Sequence, residues 1–270
     1  MIATLMFFGD VVGKIGRRGL AKALPDLKKR FQPDLVVANV ENLAHGRGIT
    51  PQTIQELSDA GIDAFTSGDH IWQNPTGAPL LDDPQWQQRL IRPANVDPKL
   101  PGKGWTKINV KGCDVILLNL QGRLFITQEA SSPFLAFDRL WNEFSAQDGH
   151  DPLMIVDFHA EASSEKRAFG HHVDGRATLV YGTHTHIPTA DAQILANGTA
   201  YVTDVGMVGA LDSVIGFEKN GSIKRFLEQT TAPYELSEKG QVEINGLVVK
   251  IDLDAKKASG LDRIREIVDI

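Results

Sequence analysis

Five short apolar runs in this sequence each give way to residues that can bind a metal ion. Ile2 to Phe8 leads to Asp10, Asp34 to Val40 leads to Glu41-Asn42, and Asp63 to Ser67 leads to Asp69-His70. Leu153 to Phe158 leads to His159, and Ala177 to Tyr181 leads to His184 and His186. Runs of this length that alternate with helical patterns predict βα units and an α/β fold, a β-sheet core flanked by helices. In open α/β sheets, ligands bind outside the carboxyl ends of the strands. The five ends thus bring three carboxylates, an amide and four imidazoles to one edge.

An aspartate after a strand is often only a turn or N-cap residue. An H-x-H pair on an extended segment points both rings to one side, which packing alone can use. Five strand ends furnished together are harder to assign to packing. The set mixes oxygen and imidazole donors without a thiolate, which suits Mn, Fe or Zn better than Mg or Ca. It also exceeds what one ion needs, so two ions sharing a carboxylate are expected.

The remaining pattern fills in the scaffold. Leu20, Leu24, Leu27 and Phe31 repeat at helical spacing, with Pro25 a point of kinking or restart. Thr50-Pro51 predicts a helix start and Gly61 its stop. Phe137, Leu140, Trp141 and Phe144 form a second helical stripe, while Val115 to Leu120 and Thr199 to Val202 add buried strands. Pro93 to Gly104 is a loop. Tyr234 to Leu236, Val242 with Ile244, and Val248 to Leu253 predict antiparallel hairpins, and Leu261 to Ile270 fits helix or strand. No composition break marks a linker, so residues 1–270 are expected to form a single domain.

Composition removes several function classes. Thirty-four acidic residues against 28 basic ones give a net charge of -6, so stable nucleic-acid binding is not expected. The single cysteine, Cys113, excludes a disulfide framework and a multi-cysteine zinc site, and is read as a core residue. It also leaves His159-Ala160-Glu161 without the cysteine half of a zinc-deaminase signature. Gly9 and Gly13 are one residue too close for a phosphate-binding loop, and no G-x-S-x-G elbow is present. No apolar run reaches the roughly 18 residues of a membrane span, and the N-terminus makes a poor signal peptide. A cytoplasmic protein is expected.

The ordered blocks carry more than composition does. Phe8-Gly9-Asp10-Val11-Val12-Gly13, Glu41-Asn42-x-Ala44-His45-Gly46, Gly68-Asp69-His70-x-Trp72 and Arg92-Pro93-Ala94-Asn95 are followed by Asn119-Leu120-Gln121-Gly122-Arg123. Asp157-Phe158-His159-Ala160-Glu161, Gly182-Thr183-His184-Thr185-His186 and Thr203-Asp204-Val205-Gly206-Met207 complete them. Together they resemble the YmdB-type bacterial metallophosphoesterases of the calcineurin-like superfamily.

The resemblance implies a dinuclear-metal phosphodiesterase acting on 2′,3′-cyclic nucleotides, with attack by a metal-activated hydroxide. Its cofactor would be two divalent or mixed-valence transition-metal ions, iron foremost, with manganese or zinc as alternatives. By motif, Asp10, Glu41, Asn42 and His186 would hold one ion. Glu41, Asp69, His159 and His184 would hold the other, with Glu41 bridging and His70 as proton donor. The partner is a small phosphodiester; a homo-oligomer is left open. Two positions depart from the superfamily: Val12 stands where a histidine is usual, and Asp69 where an asparagine is usual. Arg123 and Arg176 are candidate phosphate binders, and His45 a candidate neighbour of the ligands. His150, His171 and His172 are read as surface residues. The rival readings are a phosphomonoesterase or protein phosphatase, and a non-catalytic metal-dependent regulatory or RNA-associated protein.

Overall fold

The computed structural model describes residues 1–229 and 235–270. The chain begins with β1 (Ile2–Asp10), α1 (Gly13–Phe31), β2 (Leu35–Asn39), α2 (Pro51–Ala60) and β3 (Ala64–Thr66). After a 3₁₀ turn at Ala78–Asp82 come β4 (Trp105–Val110), β5 (Cys113–Gln121), α3 (Pro133–Asp148) and β6 (Leu153–His159). Next are α4 (Ser163–Val173), β7 (Leu179–Thr183), β8 (Gln193–Ile194), β9 (Ala200–Val202) and β10 (Val208–Ala210). The last elements are α5 (Lys219–Glu228), β11 (Gln241–Asp252) and β12 (Lys257–Asp269).

These strands form two six-stranded sheets. In the first, β1, β2 and β3 are parallel neighbours, and β11 joins β1 antiparallel while also pairing β10 and β12. In the second, β5, β6, β7 and β9 run parallel, flanked by antiparallel β4 and β8. The period-2 alternation of strand side chains sorts the core into layers. Leu5 and Phe7 of β1 face Leu117, Ile155 and Tyr181 of the other sheet. Met6 and Phe8 point the opposite way, onto Leu20, Leu24 and Leu27 of α1. Phe137, Leu140 and Phe144 of α3, with Phe169 of α4, cover the outer face of the second sheet. The result is a four-layer α/β sandwich, two facing sheets with helices on their outer faces. Among the described residues, no helix is long and apolar enough to cross a membrane.

Local signals read from sequence are realised in detail. The Thr50 hydroxyl accepts the Thr53 N–H, Pro51 occupies the first helical position, and Gly61 ends α2 at φ 104°. Pro25 lies within α1, which continues through it. Other expectations need correction. Val242, Ile244 and Val248 to Asp252 belong to one continuous strand, β11, which pairs with β10 through residues 242–244 and with β1 through residues 246–252, and Leu253 lies just beyond its end. The tail is strand, since β12 pairs with β11 along nearly its whole length. Tyr234 lies outside the described residues; Leu236 forms only an isolated bridge to Phe217. Strand β4, unforeseen, pairs with β5. Cys113 is half-buried at the margin of the inter-sheet core.

Candidate functional site

The parallel strands of both sheets end at one place. Asp10 is the last residue of β1, Glu41 and Asn42 follow β2, and Asp69 and His70 follow β3. From the facing sheet, His159 ends β6, and His184 and His186 follow β7. The two sheets are joined here by polar bonds. Asn39 Nδ2 donates to Ser67 O and to Asp157 Oδ2, both at 3.1 Å, while Asn39 Oδ1 accepts the Glu41 N–H at 3.2 Å. Asp10 Oδ2 accepts the His184 N–H at 3.0 Å.

Glu41, Asp69, His159 and His184 each offer one ligand atom, and these atoms lie within 4.8 Å of one another. His159 Nε2 is 3.1 Å from Glu41 Oε1 and 3.3 Å from Asp69 Oδ1. Beside this group, Asn42 Nδ2 is 3.3 Å from Asp10 Oδ1 and 3.5 Å from His186 Nε2, which is 3.8 Å from the same Asp10 oxygen. A half-turn of the Asn42 amide presents its oxygen to that second group. All seven residues expected as ligands therefore converge, in two adjoining clusters. The H-x-H segment is not extended: His184 has φ 97° and His186 φ 64°, so the backbone curls back instead of relying on strand alternation.

Each histidine turns one nitrogen inward and anchors the other. His186 donates Nδ1–H to Ile215 O at 2.9 Å, since a carbonyl only accepts, and in the neutral ring this tautomer turns the Nε2 lone pair inward. Thr183 donates its hydroxyl proton to Asp157 Oδ1 at 2.6 Å and so accepts from His159 Nδ1 at 2.9 Å. Glu161 Oε2 lies 3.1 Å from His184 Nε2, leaving His184 Nδ1 to face His159 Nε2 at 3.1 Å. Outer acceptors that fix ring orientation in this way are the usual support of metal-binding histidines.

The electrostatics also call for a cation. Burial opposes a charged His159, but the Glu41 and Asp69 carboxylates outweigh it and hold its pKa well above the ordinary value. Burial and the positive His159 push His184 the other way, to about 3. Burial alone would raise the Asp10 carboxyl, yet His186 and His159 bring it below its usual range. Asp69 is likewise lowered against the cost of burial by the His159 and His70 imidazoles. Asp69 Oδ1 is buried and has no hydrogen-bond partner among the described residues. A side chain at position 68 would reach within 2.2 Å of the His159 ring and 2.5 Å of Glu41 Oε2, so Gly68 leaves the cluster its room. Donor set, orphaned oxygen and cradle all fit a bound metal ion.

His70 sits at the edge, its Nδ1 2.7 Å from Asp69 Oδ2 and its N–H donated to Glu41 Oε2 at 2.8 Å. Burial lowers its pKa, but the bond to Asp69 together with the negative charges of Glu41 and Asp69 outweighs this and raises it. A cavity of about 290 Å³ opens over Glu41, Asn42, His70, His184 and His186.

The arginines proposed from sequence lie elsewhere. Arg176 precedes β7, at the strand end away from the site, and bonds Asp138 at 2.7 Å and His172 O at 2.9 Å. Arg123 lines a separate cavity with Phe134 and Glu165. His45 is exposed and outside the residues lining the ligand cavity. His150, His171 and His172 are exposed, as expected. Sequence reading missed Asn39, Asp157, Thr183 and Glu161 as supports. Asp157 carried a signal, because a carboxylate inside an apolar strand run, two residues before His159, shares its face. Burial pushes that carboxyl up to about 7.

Residues 6–264 match the family model described as YmdB-like protein. A 2′,3′-cyclic-nucleotide 2′-phosphodiesterase of Bacillus subtilis is 41% identical over 260 residues, covering 96% of each chain. A Mycoplasma pneumoniae structure described as a novel phosphatase superposes with a TM-score of 0.90 at 35% identity, covering 100% of this chain and 95% of the other. A hypothetical protein from Thermus thermophilus gives a TM-score of 0.87 at 35% identity, over 98% and 99% of the two chains. By sequence, fold and site together, the chain is a phosphoric-ester hydrolase and belongs to the YmdB-like family.

Proposed function

We propose that the chain is a dinuclear-metal phosphodiesterase that hydrolyses 2′,3′-cyclic nucleotides. The observation that carries this reading is the pairing of two donor clusters, Glu41-Asp69-His159-His184 and Asp10-Asn42-His186, beside one small cavity that Glu41, Asn42, His184 and His186 line. The Bacillus subtilis relative's name supplies the substrate class. Two ions, with iron foremost, would be held by these clusters with Glu41 between them. Bound there, they would neutralise phosphoryl charge and supply hydroxide at neutral pH.

The chain's own residues do the rest. Asp69 accepts from His70 Nδ1, so Nε2 is the nitrogen free to serve substrate. The raised pKa favours the protonated imidazole, the form that can donate to a departing ribose oxygen. The backbone bond from His70 to Glu41 fixes the ring's origin relative to the cluster. The reading also places the enzyme in the cytoplasm and treats residues 1–270 as one catalytic unit.

Metal analysis with a substrate panel tests the proposal. We expect close to two equivalents of Fe, Mn or Zn, and cleavage of 2′,3′-cyclic nucleotides above nucleoside monophosphates. Glu41→Gln should weaken both ions, whereas His186→Ala should chiefly weaken one. Absence of transition metal together with no activity on added Mn overturns the reading. Preference for monoesters favours a phosphomonoesterase instead.

A further inference from the structure

The ligand cavity has a second wall that the metal chemistry does not use. Gly46, Arg47, Ile215 and Phe217 line it alongside the candidate ligands. Arg47 is the one lysine or arginine among the described residues lining this cavity, and its exposed side chain makes no hydrogen bond or ion pair with any of them. A lone guanidinium beside Glu41 and Glu161 that pairs with neither is available to something else.

The loop presenting it is already shaped. It starts at the candidate ligands Glu41 and Asn42, and the Ala44 N–H closes on Gly48 O at 2.9 Å while the Arg47 N–H closes on Ala44 O at 3.1 Å. The Arg17 guanidinium holds Leu43 O from below.

The apolar part of the wall is strained and held in place. Val214 and Phe217 exchange backbone bonds at 2.9 and 3.0 Å around Ile215 (φ 50°) and Gly216 (φ 99°). This is the geometry of a type I′ turn, whose first central position favours Asn, Asp or Gly. A β-branched residue at positive φ is an outlier, and such strain clusters at functional sites. The Ser213 hydroxyl accepts the Gly216 N–H at 2.9 Å, and Ile215 O accepts from His186. A side chain at position 216 would reach 2.7 Å from Val12 Cγ1, so the turn tip rests on Val12. Thus the position where the superfamily carries a histidine here supports the turn instead. One strained residue both orients His186 and offers its side chain to the cavity.

We propose that Arg47 and the Ile215-Phe217 turn form a nucleoside phosphate subsite. The guanidinium takes a nonbridging oxygen of the diester, and the apolar turn packs against the base. Charge-assisted bonding by arginine suits a phosphate, and a cavity near the lower end of the roughly 300–1,000 Å³ typical of ligand sites suits a mononucleotide. This subsite rests on the phosphodiesterase reading above.

The test measures binding apart from turnover. Metal-loaded His70→Gln protein is titrated calorimetrically with 2′,3′-cyclic AMP and with base-free ribose 2′,3′-cyclic phosphate. Adding Arg47→Ala should weaken cyclic AMP binding at least about 10-fold at unchanged metal content, with Arg47→Lys recovering part of the loss. Phe217→Ala should weaken cyclic AMP more than the base-free ester. In the otherwise wild-type enzyme, Arg47→Ala should raise KM more than it lowers kcat. Unchanged affinity and KM in Arg47→Ala overturn the subsite while leaving the phosphodiesterase standing. A wild-type enzyme that binds metal yet neither binds nor cleaves cyclic AMP overturns both.

Discussion

Lys166 Nζ lies 2.6 Å from Asp204 Oδ2, with both side chains at 1% exposure or less. The same ammonium donates to Thr183 O at 2.7 Å, and Asp204 accepts the N–H groups of Thr185 at 3.2 Å and Gly206 at 2.9 Å. The pair therefore grips the backbone on both sides of His184, where φ is 97°. Helix α4 is thereby tied to the H-x-H turn through one ion pair.

Removing one partner leaves a buried charge uncompensated, which costs about 3–5 kcal/mol. Lys166→Met should show that loss in urea denaturation. The double variant Lys166→Met/Asp204→Leu should regain much of the stability. It should still retain metal poorly, because the turn has lost its brace. Full metal retention in the double variant would show that the pair serves stability alone.

Thr183 links buried Asp157 to the His159 ring. Thr183→Val keeps the shape and removes both bonds. Loss of such a support typically costs 10–100-fold in metal affinity. We expect a drop of that size in chelator competition, with His159 still in place. An unchanged affinity would mean that β6 alone orients the ring.

Asp69→Asn removes one charge from the cluster and reverses a hydrogen bond. Asp69 now accepts from His70 Nδ1; an asparagine whose oxygen faces the metals must donate there instead. We expect weaker metal retention, retained activity at saturating metal, and a switch of the neutral His70 tautomer from Nδ1–H to Nε2–H. Nitrogen-15 chemical shifts of the His70 ring read the switch directly. The same tautomer in both proteins would contradict the assigned bond.

His70→Gln should keep both metals but lose turnover unequally. General acid catalysis contributes roughly 10²–10⁴-fold where the leaving group needs a proton. A cyclic nucleotide expels a basic alkoxide, whereas a nitrophenyl diester expels a stable phenolate. The loss should therefore be much larger on the nucleotide. Equal losses on the two substrates would assign His70 to phosphate positioning.

Much of the site was legible because parallel strands deliver their C-terminal residues to one shared edge. Once the runs ending at Phe8, Val40, Ser67, Phe158 and Tyr181 are read as strands, Asp10, Glu41, Asn42, Asp69, His70, His159, His184 and His186 gather there. The pattern could not say that the strands belong to two facing sheets, nor that Asp10 would bond the backbone of His184 from the opposite sheet. Arg176 and Arg123 were plausible by residue type alone, since sequence distance from a ligand does not say which end of a strand or which cavity a side chain occupies.

The chain's periodicities by themselves determined the parallel strands that carry the site, the helix from Thr50 to Gly61, and the edge on which the metal-capable residues lie. These follow from local rules: a two-residue repeat, a capping hydroxyl, a proline at the first turn. Tertiary structure alone decided the tail as strand, the curled H-x-H turn, the Lys166–Asp204 brace and the meeting of Ile215 O with His186. Lys166 and Asp204 are 38 residues apart, and His186 and Ile215 are 29 apart. No local pattern joins such partners. They meet because burying both sheet faces leaves each polar group only one place to find its complement.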